Sequence, residues 1–372
     1  MDTHRSPLKT GGFHAPLLDR ADQILLELTS SNKIPSAALC VGRSDSIVYL
    51  RFFGKARPEA DDSDLSEDTL FLVASLAKPV TVTAAMLLVE RGSLTLDDTA
   101  ATYLPDFGRN GKQNVRLRHL MTHTSGLPDM PPDHLALRAR HAPLSQFVRS
   151  ICEVPLAFVP GTQVSYQSTG IAILGAIVEV VSGVSLPAFL QREVFDPLGM
   201  TATSLGGRPE WESRISKVRL EPEQAGTDWN WNSPYWLGLG APWGGLITSP
   251  VDYARFCRMM LNKGTLEGVR VLSPATVRAM TSNQLAAMPT LPEDDRRCRP
   301  WGLGWRGNWP GDSSQFGDLL GSRTFGHWGA TGTLCWIDPE ADAFLVLLTT
   351  EPGGAEGRHL ATLSNVVAAA LL

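Results

Sequence analysis

The spacing serine-x-x-lysine occurs three times in this chain, at 6–9, 30–33 and 75–78. On a helix, residues three positions apart lie on one face, one turn from each other. A neutral lysine amine there can take the proton of the serine hydroxyl, which is a weak nucleophile until a base does so. The pattern indicates acyl transfer through a serine ester, but the bare string arises easily by chance and needs a suitable context.

Context favours the pair Ser75 and Lys78. The pair at 6–9 lies in a polar stretch, and the pair at 30–33 ends a predicted helix, where serine and lysine are common. Ser75 instead follows the apolar run 70–74 and precedes a predicted helix, so free N–H groups would favour negative charge beside it. For Lys78 to be a base, its pKa must fall from about 10.4 to about 7, a cost of roughly 4–5 kcal/mol. The alternative is that Ser75 only caps the helix.

Elements at both ends of the chain would position this pair. Apolar spacing predicts a helix over 17–28 and a β-hairpin formed by 37–41 and 47–53. A helix over 79–90, closed by Gly92, follows Ser75. Near the end, strands 332–337 and 343–349 flank the strong turn 338–342. The other predicted helices are 252–261 and about 356–371.

The order of these elements predicts an α/β (α+β) fold with one antiparallel sheet built from both termini. We expect a flexible tail over 1–15, a sheet region formed by 16–70 and 245–372, and a mainly helical region over 71–244. These parts would form one catalytic unit.

Composition narrows the possible partners and compartment. The 33 basic and 38 acidic residues are scattered, with no basic stripe, which argues against nucleic acid. No apolar run reaches the ~18 residues of a membrane span, and the first residues lack a secretory apolar segment. Five widely spaced cysteines fit a reducing compartment. The sequence therefore predicts a cytoplasmic protein without a membrane partner; its oligomeric state is open.

Other chemistries have weaker support. His119 and His123 are four residues apart, but no HExxH arrangement accompanies them, and no G-x-S-x-G elbow occurs. We therefore expect no metal and no organic cofactor. Asp129, His134 and His141 lie in a proline-rich loop that either lines a pocket mouth or is simply solvated. All ten tryptophans fall within 211–336, as core residues or as the wall of an apolar pocket.

The order of several further motifs resembles the serine β-lactamase and penicillin-binding-protein superfamily, closest to its class C-like branch of esterases and transesterases. The resemblance extends from Ala37 to the last helix. The segments that carry it are Ser75-Leu76-Ala77-Lys78 after Thr69-Leu70-Phe71, Gly92-Ser93-Leu94-Thr95-Leu96-Asp97-Asp98, Leu120-Met121-Thr122-His123-Thr124-Ser125-Gly126-Leu127, Pro160-Gly161, Tyr166, Pro197-Leu198-Gly199-Met200, Gly244-Gly245-Leu246 and His327-Trp328-Gly329-Ala330-Thr331-Gly332.

The resemblance implies a catalytic role for three side chains. Ser75 would be the acylated nucleophile, Lys78 a base or proton relay, and Tyr166 the phenol that exchanges protons with Ser75 and the leaving group. The backbone N–H groups of Ser75 and Ala330 would form the oxyanion hole. Whether Lys78 or Tyr166 is the formal base stays open.

Two departures from the family pattern bear on specificity. Tyr166 is followed two residues on by Ser168, where the family usually has asparagine. His327-Trp328-Gly329 takes the place of a lysine-threonine-glycine strand, so a residue that is mostly neutral at pH 7 replaces a cation that helps to hold a substrate carboxylate. Both changes favour neutral esters over β-lactams.

The resulting expectation is a serine carboxylesterase that acts on small to medium neutral esters through an acyl-enzyme. The substrate would be a small-molecule ester or amide. The alternatives are β-lactamase or D,D-peptidase activity, acyl transfer to an alcohol in place of water, and a non-catalytic scaffold that keeps the fold. Retention of Ser75, Lys78 and Tyr166 together argues against a scaffold.

Overall fold

The computed structural model describes residues 11–57, 64–310, 316–353 and 358–372, and these form a mixed α/β fold. The strands are β1 (Ser36–Gly42), β2 (Ile47–Gly54), β3 (Phe71–Leu72), β4 (Ser204–Leu205), β5 (Leu246–Thr248), β6 (Thr265–Leu266), β7 (Val269–Arg270), β8 (Arg306–Gly307), β9 (Phe325–Gly329), β10 (Thr333–Asp338) and β11 (Ala343–Thr349).

The helices lie mostly between the strands of the two chain ends. They are α1 (Ala15–Ser30), α2 (Ala77–Glu90), α3 (Ala100–Tyr103), α4 (Leu117–Met121), α5 (His134–Ala139), α6 (Leu144–Glu153), α7 (Thr169–Ser182), α8 (Leu186–Leu190), α9 (Pro234–Leu239), α10 (Pro250–Leu261), α11 (Pro274–Thr281), α12 (Glu293–Cys298) and α13 (Arg358–Ala369).

The main sheet has six strands in the order β2-β1-β11-β10-β9-β8, and its neighbouring strands are antiparallel. The first hairpin of the chain therefore pairs with the last one, as Leu39 opposite Leu347 shows. This arrangement confirms the predicted fold class, a sheet built from both termini. Both predicted hairpins form, and β10 and β11 are joined by a turn in which Asp338 Oδ1 accepts the N–H groups of Glu340 and Ala341.

Two hydrophobic layers bury the two faces of the sheet. Leu39 and Leu347 pack on the layer formed with α1 and α13. Their neighbours Cys40 and Val346 point to the opposite layer, which includes α10 and the helical region. Successive side chains of a strand point to opposite faces, and β1 and β11 are buried on both. The purely apolar sequence of these strands follows from this double burial.

The N-terminal segment is more ordered than expected where the structure describes it. Helix α1 begins at Ala15 and ends at Ser30, two residues beyond the predicted range at each end. Phe13 is only 1% exposed and pairs with Leu371, so this residue packs against the fold and is not part of the expected flexible tail over 1–15. Its ring is covered by the layer beneath α1 and α13. Residues 1–10, with the pair Ser6 and Lys9, lie outside the described residues.

The helical region centres on α2 and α7, which pack against each other. Helix α2 is buried over nearly its whole length and ends before Gly92, whose φ of +69° fits the predicted left-handed helix end. Among the described residues, no single helix is long and apolar enough to cross a membrane. By length and composition alone, α7 together with 186–195 would pass that test, with a bend of 75° between them.

Candidate active site

Ser75 lies in a sharp turn between β3 and α2. A 3-10 turn, Ala74–Leu76, separates the strand from the helix, and Ala74 has a φ of +45°, which is uncommon for a residue with a side chain. The hydroxyl of Tyr253 donates to the carbonyl of Leu76 at 3.0 Å. Thr331 Oγ1 and Thr333 Oγ1 donate to the carbonyls just before the turn, those of Leu72 and Val73, at 2.7 and 2.9 Å. These bonds fix Ser75, which is half-buried, relative to β9 and β10.

Lys78 follows in the first turn of α2, and its side chain is fully buried. Its Nζ lies 2.7 Å from Ser75 Oγ and donates to the carbonyl of Trp243 at 3.2 Å. Burial lowers the pKa of Lys78 to about 7, and the negative charge of Asp129 opposes part of this fall. A large fraction of the amine is therefore neutral at pH 7, when it can accept a proton from Ser75.

Tyr166 comes from the extended segment that precedes α7. Its ring lies under Lys78 with 4.6 Å between Nζ and the ring centroid, and the nearby Ser75 hydroxyl offsets part of the rise in the pKa of the phenol. Burial raises the pKa of Tyr166 above its usual value, so the phenol keeps its proton at neutral pH. Because a protonated phenol both donates and accepts, Tyr166 can pass a proton between Ser75 and a second group.

His123 is hydrogen-bonded to the residues on both sides of Tyr166. Its carbonyl accepts the N–H of Ser165 at 2.9 Å, and its Nδ1 accepts the N–H of Gln167 at 3.2 Å. The His123 ring also packs on the Tyr166 ring with 4.7 Å between centroids. Burial lowers the pKa of His123 well below its usual value, which keeps Nδ1 free to accept. His123 belongs to one of the motifs that carry the resemblance, but no pattern in the sequence signals this contact.

Strand β9 brings His327, Trp328 and Gly329 to the same place. The Nδ1–H of His327 donates to the carbonyl of Trp328 at 2.8 Å, and the side chain of His327 is fully buried. Burial and the nearby Lys78 lower the pKa of His327 to about 3, so the imidazole carries no charge at pH 7. It can offer Nε2 as an acceptor but gives a carboxylate no cationic partner.

Gly329 allows β9 to approach the turn that carries Ser75. A Cβ added at Gly329 would collide with the carbonyl of Val73 and with Thr333 Oγ1. Ala330 follows immediately and is exposed, while Thr331 is bonded to Leu72. The backbone of Ala330 is thus held beside the Ser75 turn, where the sequence predicts the oxyanion hole.

Ser168 lies at the start of α7, beside Asp129. Its backbone N–H donates to the Asp129 carboxylate at 2.7 Å and to the Asp129 carbonyl at 3.1 Å. The neighbouring side chain of Gln167 turns inward, where its Oε1 accepts the N–H of Gly170 at 2.6 Å. Of the residues in the predicted proline-rich loop, Asp129 thus contacts the segment that carries Tyr166. His141 pairs with Asp228 instead.

Aromatic rings form one wall beside Ser75. Tyr166 and Trp328 stack with centroids 6.4 Å apart and planes at 16°, and Trp301 packs against both. Trp305 and Trp336, in contrast, are fully buried core residues. Some tryptophans are therefore core residues and others line the site, and the sequence alone does not show which of them do which. In the ranges that the structure describes, no three His, Cys, Asp or Glu side chains converge as metal ligands.

Comparison with known proteins identifies the family. The Beta-lactamase family model matches residues 21–369, so the chain belongs to that family of serine hydrolases. Penicillin-binding protein 4 of Amycolatopsis lactamdurans is 32% identical over 72% of this chain and 68% of its own.

Among solved structures, EstCE1, described as a hydrolase with promiscuous acyltransferase activity, has a TM-score of 0.77 and 21% identity, covering 95% of this chain and 99% of its own. A family VIII carboxylesterase has a TM-score of 0.75 and 19% identity, covering 97% and 99%. At these identities the likeness shows the fold.

Proposed function

We propose that the chain is a serine carboxylesterase that acts on small to medium esters through an acyl-enzyme at Ser75. The observation that carries the proposal is the contact between a fully buried lysine amine and the Ser75 hydroxyl, 2.7 Å apart, with the Tyr166 ring 4.6 Å from the same amine. A structural N-cap has no need of a lysine whose pKa lies near 7.

The reaction has two halves. The ester carbonyl binds beside Ser75 and Ala330, whose N–H groups stabilise the oxyanion. Ser75 Oγ attacks as its proton passes to Lys78 and Tyr166, the bond to the leaving alcohol breaks, and Tyr166 protonates that alcohol. Water then attacks the acyl-Ser75 ester, gives its proton back through the same groups, and releases the carboxylic acid. An alcohol in place of water gives a new ester.

The preference for esters over β-lactams rests on His327. A neutral imidazole there offers no cation to a β-lactam carboxylate. Two of the similar structures, the family VIII carboxylesterase and the hydrolase EstCE1, support the esterase assignment by the activities that their names state. The name of penicillin-binding protein 4 favours the second candidate, β-lactamase or D,D-peptidase activity. The proposal also includes a small-molecule substrate and a cytoplasmic location. It includes no nucleic-acid or membrane partner.

The test compares kcat/KM for p-nitrophenyl butyrate and nitrocefin. We expect a strong preference for the ester, and loss of turnover of both in Ser75→Ala. His327→Lys should raise the ratio of nitrocefin to ester turnover. A preference of the unaltered protein for nitrocefin would replace the esterase assignment with the second candidate. Acyl transfer that survives in Ser75→Ala would contradict both.

A further inference from the structure

Asp129 is a carboxylate fixed at the edge of the active site. Its Oδ1 accepts the N–H of Ser168 at 2.7 Å, and its carbonyl accepts the N–H groups of Ser168 and Thr169, both at 3.1 Å. These bonds place it at the first residues of α7, two positions from Tyr166. The residue is nevertheless exposed, so the carboxylate is open to a molecule that enters from solvent.

The charge of Asp129 reaches the reacting groups. It raises the pKa of Lys78 against the effect of burial, and it adds to the raised pKa of Tyr166. Lys78, whose amine lies beside Ser75, is only partly protonated at pH 7 because its pKa falls to about 7, and His327 is neutral. The site therefore has a fixed negative charge that the positive groups beside it balance only in part.

The aromatic wall suits the same kind of ligand. Tyr166 and Trp328 stack beside Ser75, and both residues are half-buried rather than sealed in the core. The faces of such rings attract ammonium groups, and they bind quaternary ammonium as well as protonated amines. A carboxylate near Asp129 would instead meet like charge.

We propose that Asp129 is a specificity determinant, and that the site prefers esters bearing a protonated amine or a quaternary ammonium group over neutral isosteres and over carboxylates. The inference rests on the proposed function, because it concerns the substrate of the same Ser75. It also narrows the range of substrates, because the proposed function by itself would allow any small to medium ester that lacks a negative charge.

A purely structural role for Asp129 makes a different prediction. If the side chain only caps α7, an acceptor at Oδ1 is all that is required. Asp129→Asn keeps that acceptor and removes the charge, so it separates the two roles. Asp19→Asn, on the exposed surface of α1, removes one charge elsewhere and is the matched control.

The experiment measures kcat/KM for two pairs of isosteric esters. Butyrylthiocholine and its neutral carbon isostere place the charge on the leaving group. The phenyl esters of γ-aminobutyric and pentanoic acid place it on the acyl group. We expect a preference of about fivefold or more for the cation in at least one pair, the scale of one partly screened ion pair, which falls with added salt. Asp129→Asn should lose this preference, and Asp19→Asn should keep it.

Two outcomes overturn the inference while the esterase assignment stands. They are Ser75-dependent turnover with no cation preference in either pair, and a preference that persists in Asp129→Asn. If no ester is turned over, the proposed function fails, and the inference is then tested by ligand binding to the unreacted site. Choline and its carbon isostere are then titrated against tryptophan fluorescence. Tighter binding of choline that Asp129→Asn abolishes supports the inference, and equal binding overturns it.

Discussion

Replacing Lys78 with methionine separates the energetic cost of a buried amine from its chemistry. The side chain is fully buried, and its pKa falls from 10.5 to about 7. Methionine has a similar length and is flexible enough to fill the same space. We expect Lys78→Met to lose ester turnover and yet to be more stable than the unaltered protein at pH 7.

Proton linkage gives the magnitude. A fall in pKa from 10.5 to about 7 corresponds to a preference of about 5 kcal/mol for the neutral amine in the folded protein. Below about pH 7 both states hold the proton and the full cost applies. Above it the folded state releases the proton, while the unfolded state keeps it until about pH 10.5, so stability rises with pH. From about pH 7 to about pH 9.5 the gain is about 3 kcal/mol.

Urea unfolding, followed by tryptophan fluorescence across this pH range, measures the difference between the two proteins. Loss of the hydrogen bonds to Ser75 and Trp243 reduces the advantage of the variant by about 1 kcal/mol each. That reduction does not change with pH, so the advantage of Lys78→Met should still shrink by about 3 kcal/mol over the window. A difference in unfolding free energy that stays constant would mean that Lys78 remains an ammonium, and would refute the reasoning.

Three further predictions concern the groups around Ser75. Tyr166→Phe should lower kcat by about a hundredfold or more in a folded protein, since a phenol that relays a proton is worth that much; near-normal turnover would remove Tyr166 from the mechanism. His123→Asn keeps an acceptor for the N–H of Gln167 and tolerates the φ of +60°, so it should retain much more kcat than His123→Leu; equal losses would argue against the clamp on Tyr166. Gly329→Ala should lower thermal stability and kcat together, because its Cβ collides with the carbonyl of Val73; an unchanged melting temperature would contradict this packing.

The chain ends were predictable because their patterns are local. Doubly buried strands such as β1 and β11 are continuous apolar runs, and the turn at Asp338 has a strong sequence signal. Strand β9 has no such pattern, since its five residues include Gly326 and Gly329. It forms because β10 offers the matching register, and it contributes Gly329 because only glycine fits against the Ser75 turn.

The candidate site could be predicted from the sequence only in part, because only some of its contacts are local. Ser75 and Lys78 are one helical turn apart, so their spacing already indicates a contact. The clamp from His123 to Tyr166 joins segments more than forty residues apart, and it depends on a left-handed backbone at a histidine. Trp301 reaches the aromatic wall from a third segment, where it packs against Tyr166 and Trp328. No periodicity in the sequence marks such contacts, because tertiary packing alone brings them together.

The central claim is that Ser75 carries the acyl group. Its most direct test is mass spectrometry of the protein quenched with acid during turnover of p-nitrophenyl butyrate, followed by peptide mapping. We predict one butyryl group on the peptide that contains Ser75, in greater amount in Tyr166→Phe if deacylation slows more than acylation, and none in Ser75→Ala. Butyryl on another residue, or turnover by a Ser75→Ala protein that carries no acyl group, would contradict the account.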